Sequence, residues 1–378
     1  MPKRITIISS NVAGGGVLAC AGIGRALERH YSVQLIGSLF GAEPWSGLDD
    51  LDFEVQYLRG KSLPAYASVM RKLQKLIDGD IVIAHQLRLP SSGIGLLHKY
   101  RKHVPCALYI DDDDLALTLP GRSNRWRDRL RAPSGDLYTR LVYKFARRAD
   151  AIFCGSEYFA NKFSGITVPL GRDAALYEPD NPERVSLRDK LGFAPNATVI
   201  GFLGNPRPHV GIEDLVQALE ILDDQDLHLL VVPAGAARDD ARELFNKTPA
   251  NVRLIEHRPS SDVPGFLAAT DIVVVPQRAS PVSQGQLPAR LVEGMAMAKP
   301  IVTTRIADVP ELLGDAAVYV PDRDPAAIAN AVRQLRADPA LARQMGAKAR
   351  EIFLKRLSLE AMADKLVPEI DRLLDRPD

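Results

Sequence analysis

Two doubly wound parallel β-sheets, each covered by helices, form the fold class that this sequence predicts. Short β-branched runs alternate with longer stretches of helical periodicity along the chain, the pattern of an α/β protein. Several runs are apolar without alternation, Ile272-Val-Val-Val275 among them, as strands buried on both faces are. The strand series pauses over the charged, Pro-bearing stretch Arg172 to Asn196 and then restarts. That predicts two copies of one architecture joined by a linker.

Strands are expected in the first half at Ile5–Ile8, Val33–Ile36, Phe53–Tyr57, Ile81–Ala84, Ala107–Ile110, Ala151–Cys154 and Thr167–Leu170. The first follows Lys3 and Arg4 and so imitates a secretory signal. Ser9, Ser10, Asn11 and Gly14-Gly15-Gly16 cut its apolar stretch, so it reads as a β-strand and the protein as cytoplasmic. A helix is expected from about Val17 to Arg29. The second half offers strands at Thr198–Leu203, His228–Val232, Val252–Ile255, Ile272–Val275, Ile301–Thr304 and Val318–Val320. Apolar residues at helical spacing over Ala326–Leu335, Ala340–Leu354 and Leu359–Leu374 close the chain with helices.

Composition excludes other classes. The 378 residues are 46% hydrophobic and 25% charged, with 48 basic against 47 acidic side chains. A disordered chain and a nucleic-acid binder recognised by net charge are both disfavoured. No apolar run reaches the roughly 18 residues of a membrane span. Cys20, Cys106 and Cys154 are odd in number and have apolar neighbours, which fits buried thiols rather than a disulfide framework. No CxxC or HExxH spacing occurs, so no structural metal is expected.

Arg122 to Arg148 holds nine basic and two acidic residues, interleaved with Trp126, Leu130, Leu141 and Phe145. This segment reads either as a solvated helix face or as a surface for anionic lipid or a phosphorylated acceptor.

In parallel α/β domains ligands bind beyond the carboxyl ends of the strands, so the residues after each strand carry the functional reading. Gly14-Gly15-Gly16 after the first strand allows close backbone approach, and the following helix N-terminus offers free N–H groups. Its spacing fits neither the dinucleotide fingerprint nor a Walker loop. The alternative is a tight strand–helix turn. Asp111 to Asp114 follow the Ala107–Ile110 strand. One or two of these acids could orient a sugar hydroxyl or act as a base, or the run is a solvated loop with a helix cap. Ser156 reads as a helix N-cap. Gly204-Asn205-Pro206-Arg207-Pro208-His209-Val210-Gly211 after Thr198–Leu203 is a phosphate site in outline. After Ile272–Val275 a loop through Gln284, Gly285, Gln286 and Leu287 leads into a helix carrying Arg290 and Glu293. These two stand one turn apart, either as a pair closing the helix start or with Glu293 accepting a ribose or sugar hydroxyl.

With these residues in place, the chain resembles the family-4 retaining glycosyltransferases over nearly its whole length. The resemblance rests on Gly14-Gly15-Gly16, on Ala149-Asp150 through Ser156, and on Pro169-Leu-Gly-Arg-Asp173 with Tyr177-Glu-Pro179. It rests further on Gly201-Phe-Leu-Gly204 with Gly211-Ile212. Its most specific stretch is Gln286-Leu-Pro-Ala-Arg-Leu-Val-Glu-Gly-Met-Ala296, with Lys299-Pro-Ile-Val302 and Val309-Pro-Glu-Leu-Leu313.

The resemblance implies a GT-B fold, two Rossmann-like domains facing a central cleft. An acceptor domain would span 1–172, a donor domain 173–356, and a terminal helix 357–378 would cross back to the first. It implies Glu293 on the nucleotide ribose, backbone N–H groups of Gly285 to Leu287 with Gln284 and Gln286 beside the donor sugar and phosphates, and Gly204, Asn205 and His209 lining the donor. Arg207 and Arg290 would carry the diphosphate, and Gly15 and Gly16 would meet the donor from the first domain. Asp111, Asp112 and Asp114 fall on the acceptor side, with Asp112 as a catalytic candidate. No metal and no cofactor are implied beyond a nucleoside diphosphate sugar as co-substrate.

Two departures stand out. Val210 occupies the place of a family lysine, and Gly285 that of a glutamate eight residues before Glu293; a variant motif with Arg290 at its basic position fits better. The expected activity is transfer of a hexose to a glycan or lipid-linked hydroxyl in surface polysaccharide or glycolipid assembly. The alternatives are an inactive homologue acting as a scaffold and another two-Rossmann enzyme such as an epimerase or phosphorylase.

Overall fold

The computed structural model describes residues 3–119, 125–233, 245, 251–255 and 260–375. The chain divides into two compact units, Met1–Gly171 with Leu359–Asp378, and Arg172–Ser358.

The first unit is a sheet of β1 (Arg4–Ser9), β2 (Ser32–Leu39), β3 (Glu54–Arg59), β4 (Ile81–His85), β5 (Cys106–Ile110), β6 (Ala151–Cys154) and β7 (Ile166–Thr167). Their order is β3-β2-β1-β4-β5-β6-β7, with every pair parallel. The second unit holds β8 (Thr198–Leu203), β9 (Leu227–Val232), β10 (Val252–Leu254), β11 (Ile272–Val275), β12 (Ile301–Thr304) and β13 (Ala317–Val320). Their order is β10-β9-β8-β11-β12-β13, again all parallel.

Period-two alternation explains the unbroken apolar runs. Val273 and Val275 enter one apolar layer of the second unit, while Ile272 and Val274 enter the layer on the opposite face. In β1, Ile5 and Ile7 face one layer and Ile8 the other. The chain order reverses between β1 and β4 and again between β8 and β11. At such a reversal neighbouring helices lie on opposite faces, which opens a crevice beyond the strand ends.

The helix Leu359–Leu374 follows the second unit in sequence but belongs to the core of the first. Its Met362, Leu366, Ile370 and Leu373 pack with Ile23 and Leu27, and each buried side chain contributes about 2 kcal/mol. The Tyr31 hydroxyl donates to Asp371 at 2.7 Å at the edge of this contact.

Two sequence expectations need correction. The strand expected at Thr167–Leu170 is only Ile166–Thr167. Val168 still donates to the Cys154 carbonyl, but Pro169 has no N–H with which to continue the ladder. The stretch Arg172 to Asn196 is part of the second unit rather than a free linker. It forms the helix Glu183–Leu191, buries Tyr177 and Phe193 in the core, and pairs Arg188 with Asp271 at 3.0 Å. Its high charge serves internal ion pairs, which local composition does not reveal.

Cys20, Cys106 and Cys154 are buried free thiols. No helix among the described residues is long and apolar enough to cross a membrane.

Candidate functional site

The β8/β11 reversal gathers most of the residues singled out in the second half. At the end of β8, Gly204 adopts φ +117°, a conformation that favours glycine. Its N–H donates to the Val232 carbonyl at 2.9 Å. Asn205 is half-buried, Arg207 is exposed and His209 is half-buried. Gly211 then turns the chain into the helix Ile212–Leu222 with φ +70°.

Val210 lies in the apolar core beside Phe202 and Ile212, so this position presents no charge. Basic groups arrive from elsewhere. The Arg290 guanidinium stacks 4.2 Å over the Phe202 ring, and a Cβ on Gly204 would lie 3.6 Å from its Nη2. Its Nη1 is buried without a hydrogen-bond partner among the described residues. Burial pushes its pKa down to about 10 against the pull of Glu293, with Arg207 adding to the depression. His209 is held below the usual imidazole range, first by burial and then by Arg207 and Arg290. Arg207, His209 and Arg290 therefore share one electrostatic environment: two guanidinium groups and a neutral imidazole. A doubly charged anion would relieve their mutual repulsion and satisfy the orphaned N–H.

The loop after β11 is held in place by ion pairs. Arg278 meets both carboxylate oxygens of Asp214 at 2.8 Å and lies 3.2 Å from Glu213. Its N–H donates to the His209 carbonyl at 2.8 Å, which ties the two loops together. The Ser283 hydroxyl donates to the Arg278 carbonyl at 2.8 Å. Within this frame Gln284 is exposed, Gly285 is buried, and Gln286 and Leu287 are half-buried. Gln277 Nε2 donates to Gln286 Oε1 at 3.3 Å. The helix Ala289–Ala296 starts at Pro288 without a side-chain cap, so its first N–H groups remain available to an anion.

Glu293 is not closed off by Arg290. Its Oε1 accepts from Arg172 Nε at 3.2 Å, and its charge acts on the buried Tyr177 hydroxyl. Burial, and then Glu293, hold that hydroxyl above the ordinary phenol range. Arg172 and Tyr177 come from the segment read as linker, and nothing in their spacing from Glu293 announces the contact.

In the first unit, Gly14, Gly15 and Gly16 follow β1 without positive φ. Gly15 is exposed, and a Cβ added there would meet nothing within 4 Å, whereas a Cβ on Gly16 would meet Gln86 Oε1 at 3.1 Å. Gln86, just past β4, is a non-glycine residue with φ +70°. The Ser91 and Ser92 hydroxyls donate to its carbonyl at 3.0 and 2.6 Å. Such a residue persists only where its surroundings over-determine it. Ala84-His85-Gln86 stands at a strand end, the signal that could have drawn attention to it.

The four aspartates separate by role. Asp111 pairs with His85 Nε2 at 2.8 Å. Burial alone would lower the His85 pKa, but Asp111 and Cys20 lift it well above the imidazole norm. Asp112 is half-buried at the end of β5. Asp113 caps the next helix through the Ala116 N–H at 3.0 Å and meets Lys162 at 2.8 Å. Asp114, expected on the acceptor side, is fully buried. Its oxygens accept from the Leu87 N–H at 2.6 Å and from Arg88 at 2.7 Å, which leaves it no surface to offer an acceptor. Ser156 accepts from the Phe159 N–H as an N-cap. Among the described residues no group of three or more His, Cys, Asp or Glu is arranged to hold a metal ion.

Residues 197–338 match the family model described as glycosyl transferases group 1. The chain is 26% identical over 258 residues to a D-inositol 3-phosphate glycosyltransferase of Corynebacterium glutamicum, covering 62% of this chain and 60% of that protein. It is 25% identical over 218 residues to a GDP-mannose-dependent phosphatidylinositol monomannoside mannosyltransferase of Mycolicibacterium smegmatis, covering 53% and 57%. The matches take in 45 to 60% of the length of the first three curated relatives. Among solved structures, Anabaena HepE in complex with UDP and glucose superposes with a TM-score of 0.78 at 18% identity, covering 98% of this chain and all of that one. The fold is thus GT-B, two Rossmann-like units, and the resemblance to the glycosyltransferases is borne out.

Proposed function

We propose that the chain is a glycosyltransferase that moves a hexose from a nucleoside diphosphate sugar to a glycan or lipid-linked hydroxyl, with retention at the anomeric carbon. The observation that carries this reading is the convergence of Arg207, His209 and Arg290 at the β8/β11 reversal, with one guanidinium N–H buried and unsatisfied. The family match over residues 197–338 supports it.

In this reading the bond from the anomeric carbon to the diphosphate oxygen breaks, and the acceptor oxygen bonds the same face. The acceptor's proton passes to the departing diphosphate. Arg207, Arg290 and the uncapped first N–H groups of helix Ala289–Ala296 stabilise the negative charge that grows on the leaving group. The backbone N–H groups of Gly285 and Leu287 orient the donor, while that of Gln286 is spent on the Ser283 carbonyl at 3.3 Å. Glu293, pinned by Arg172, accepts from the ribose hydroxyls. Asp111 and Asp112 are the proposed acceptor-side groups of the first unit.

A thermal-shift panel with UDP, GDP, dTDP, CDP and ADP on wild type and Glu293→Ala tests the donor half. A ligand at 100 times its Kd adds about 2.7 kcal/mol, several degrees for a protein of this size. A shift with one diphosphate, lost in the variant, is expected; no shift with any would overturn the reading. Val210 and Gly285 motivate the second reading, a donor-binding homologue without turnover. Release of the diphosphate from the matching sugar nucleotide separates the two.

A further inference from the structure

Helix Trp126–Arg131 buries none of its residues. Trp126 is 64% exposed, and Leu130, one turn on, is exposed as well. The helix is held by polar ties at its carboxyl end. The Arg131 carbonyl accepts from the Leu63 N–H at 2.9 Å, the Leu130 carbonyl from the Tyr138 hydroxyl at 3.0 Å, and Arg129 pairs with Asp136 at 2.7 Å.

The neighbouring helix Asp136–Phe145 is amphipathic in an inverted sense. Its inward face is Asp136, Thr139 and Val142. Its outward face carries Leu141 and Phe145, 47% and 48% exposed, beside the exposed Arg140, Lys144 and Arg148. Arg122, at the head of the basic segment, lies outside the described residues. Of the two acids in that segment, Asp136 is buried on Arg129 and Asp128 is exposed among Arg125, Arg127 and Arg131, so exposed cations far outnumber exposed acid.

We propose that the outer faces of helices Trp126–Arg131 and Asp136–Phe145 form a docking surface for an anionic lipid bilayer. Exposed aromatic and aliphatic side chains between cations at every turn suit the headgroup–acyl boundary, where the apolar groups leave water and the cations meet lipid phosphates. Trp at the rim is the residue type that favours this boundary. A protein partner would want the centre of the patch cleared of charge, and here Arg140 and Lys144 stand beside Leu141. The proposal goes beyond the transferase reading and does not depend on it, since vesicle binding needs no donor.

The test is flotation of the full chain with vesicles of phosphatidylcholine alone and of phosphatidylcholine mixed with phosphatidylglycerol, at low and high salt. Wild type is expected to float with the anionic vesicles at low salt and to lose most of that binding at high salt. Arg140→Glu/Lys144→Glu/Arg148→Glu and Leu141→Ser/Phe145→Ser are each expected to bind at least tenfold more weakly, with unchanged circular dichroism and Tm. The blue shift of tryptophan emission on binding is expected in wild type and absent in Trp126→Phe. No binding to anionic vesicles, equal binding to neutral ones, or binding unchanged in both surface variants would overturn the proposal. So would retention by a soluble polyanion such as heparin without any vesicle binding. A donor thermal shift that persists in these variants keeps the outcome separate from the catalytic reading.

Discussion

Glu293 Oε1 and Arg172 Nε lie 3.2 Å apart, in an ion pair whose side chains are 14% and 19% exposed. The pair fixes the carboxylate from the first residue of the second unit, so that Glu293 is oriented before any ligand arrives. Removing one partner strands the other in a largely buried place. Arg172→Met is expected to lower unfolding stability by about 3 kcal/mol, read from urea denaturation. The double variant with Glu293→Gln should be less destabilised than the sum of the singles. Additive effects would mean that the pair carries no coupling.

Arg290 poses the opposite case. Its guanidinium is desolvated, stacked on Phe202 and short of a hydrogen-bond partner at Nη1. Arg290→Met should leave stability equal or raised, because a poorly compensated buried charge is removed. Affinity for the nucleoside diphosphate should fall tenfold or more, the loss of a charge-assisted contact of about 1.5–3 kcal/mol. Calorimetric titration that finds unchanged affinity would remove Arg290 from the site.

Gly211 is tested by a single methyl group. A Cβ there would sit 1.9 Å from the Pro276 carbonyl oxygen, in a residue with φ +70°. Gly211→Ala forces the loop after β11 away from the loop after β8. The cost is expected to be at least about 2 kcal/mol from strain alone, with diphosphate binding lost alongside. A variant with wild-type Tm and affinity would show that the two loops move independently.

Lys299 gives a pH signature. It is buried with its Nζ on the Ala268 and Thr270 carbonyls at 3.2 and 2.7 Å. Burial, with Arg184 adding, pushes its pKa down to about 8. Between that value and the unfolded value near 10.4 the unfolded chain binds the extra proton. Stability therefore rises with pH across this window, by up to roughly 3 kcal/mol. Comparing denaturation of wild type and Lys299→Met from neutral pH to about pH 10 isolates this term from other groups. The difference between them should shift in favour of wild type as pH rises; a constant difference would count against the depressed pKa.

Much of the fold was legible in local pattern. Thr198–Leu203, Ile272–Val275 and Ile301–Thr304 coincide with β8, β11 and β12, because a short apolar run covered on both faces has few other ways to bury itself. Gly204 and Gly211 were marked by residue type, and both adopt the positive φ that their turns require.

The site was legible only in part. Asp111 to Asp114 are identical in sequence, yet one holds His85, one caps a helix and one is sealed on Arg88. Backbone direction at the end of β5 made that division, and no composition rule encodes it. The misread linker teaches the same lesson through Arg188, whose partner Asp271 is far along the chain. What the sequence by itself determined was the periodic part of the molecule: strands, helices, and the glycine and arginine loops that follow them. Tertiary structure alone decided the pairings, Arg172 with Glu293, Arg278 with Asp214 and Arg290 with Phe202. Those depend on which strands become neighbours when the order reverses between β8 and β11, a long-range outcome that charges and hydrogen bonds follow rather than announce.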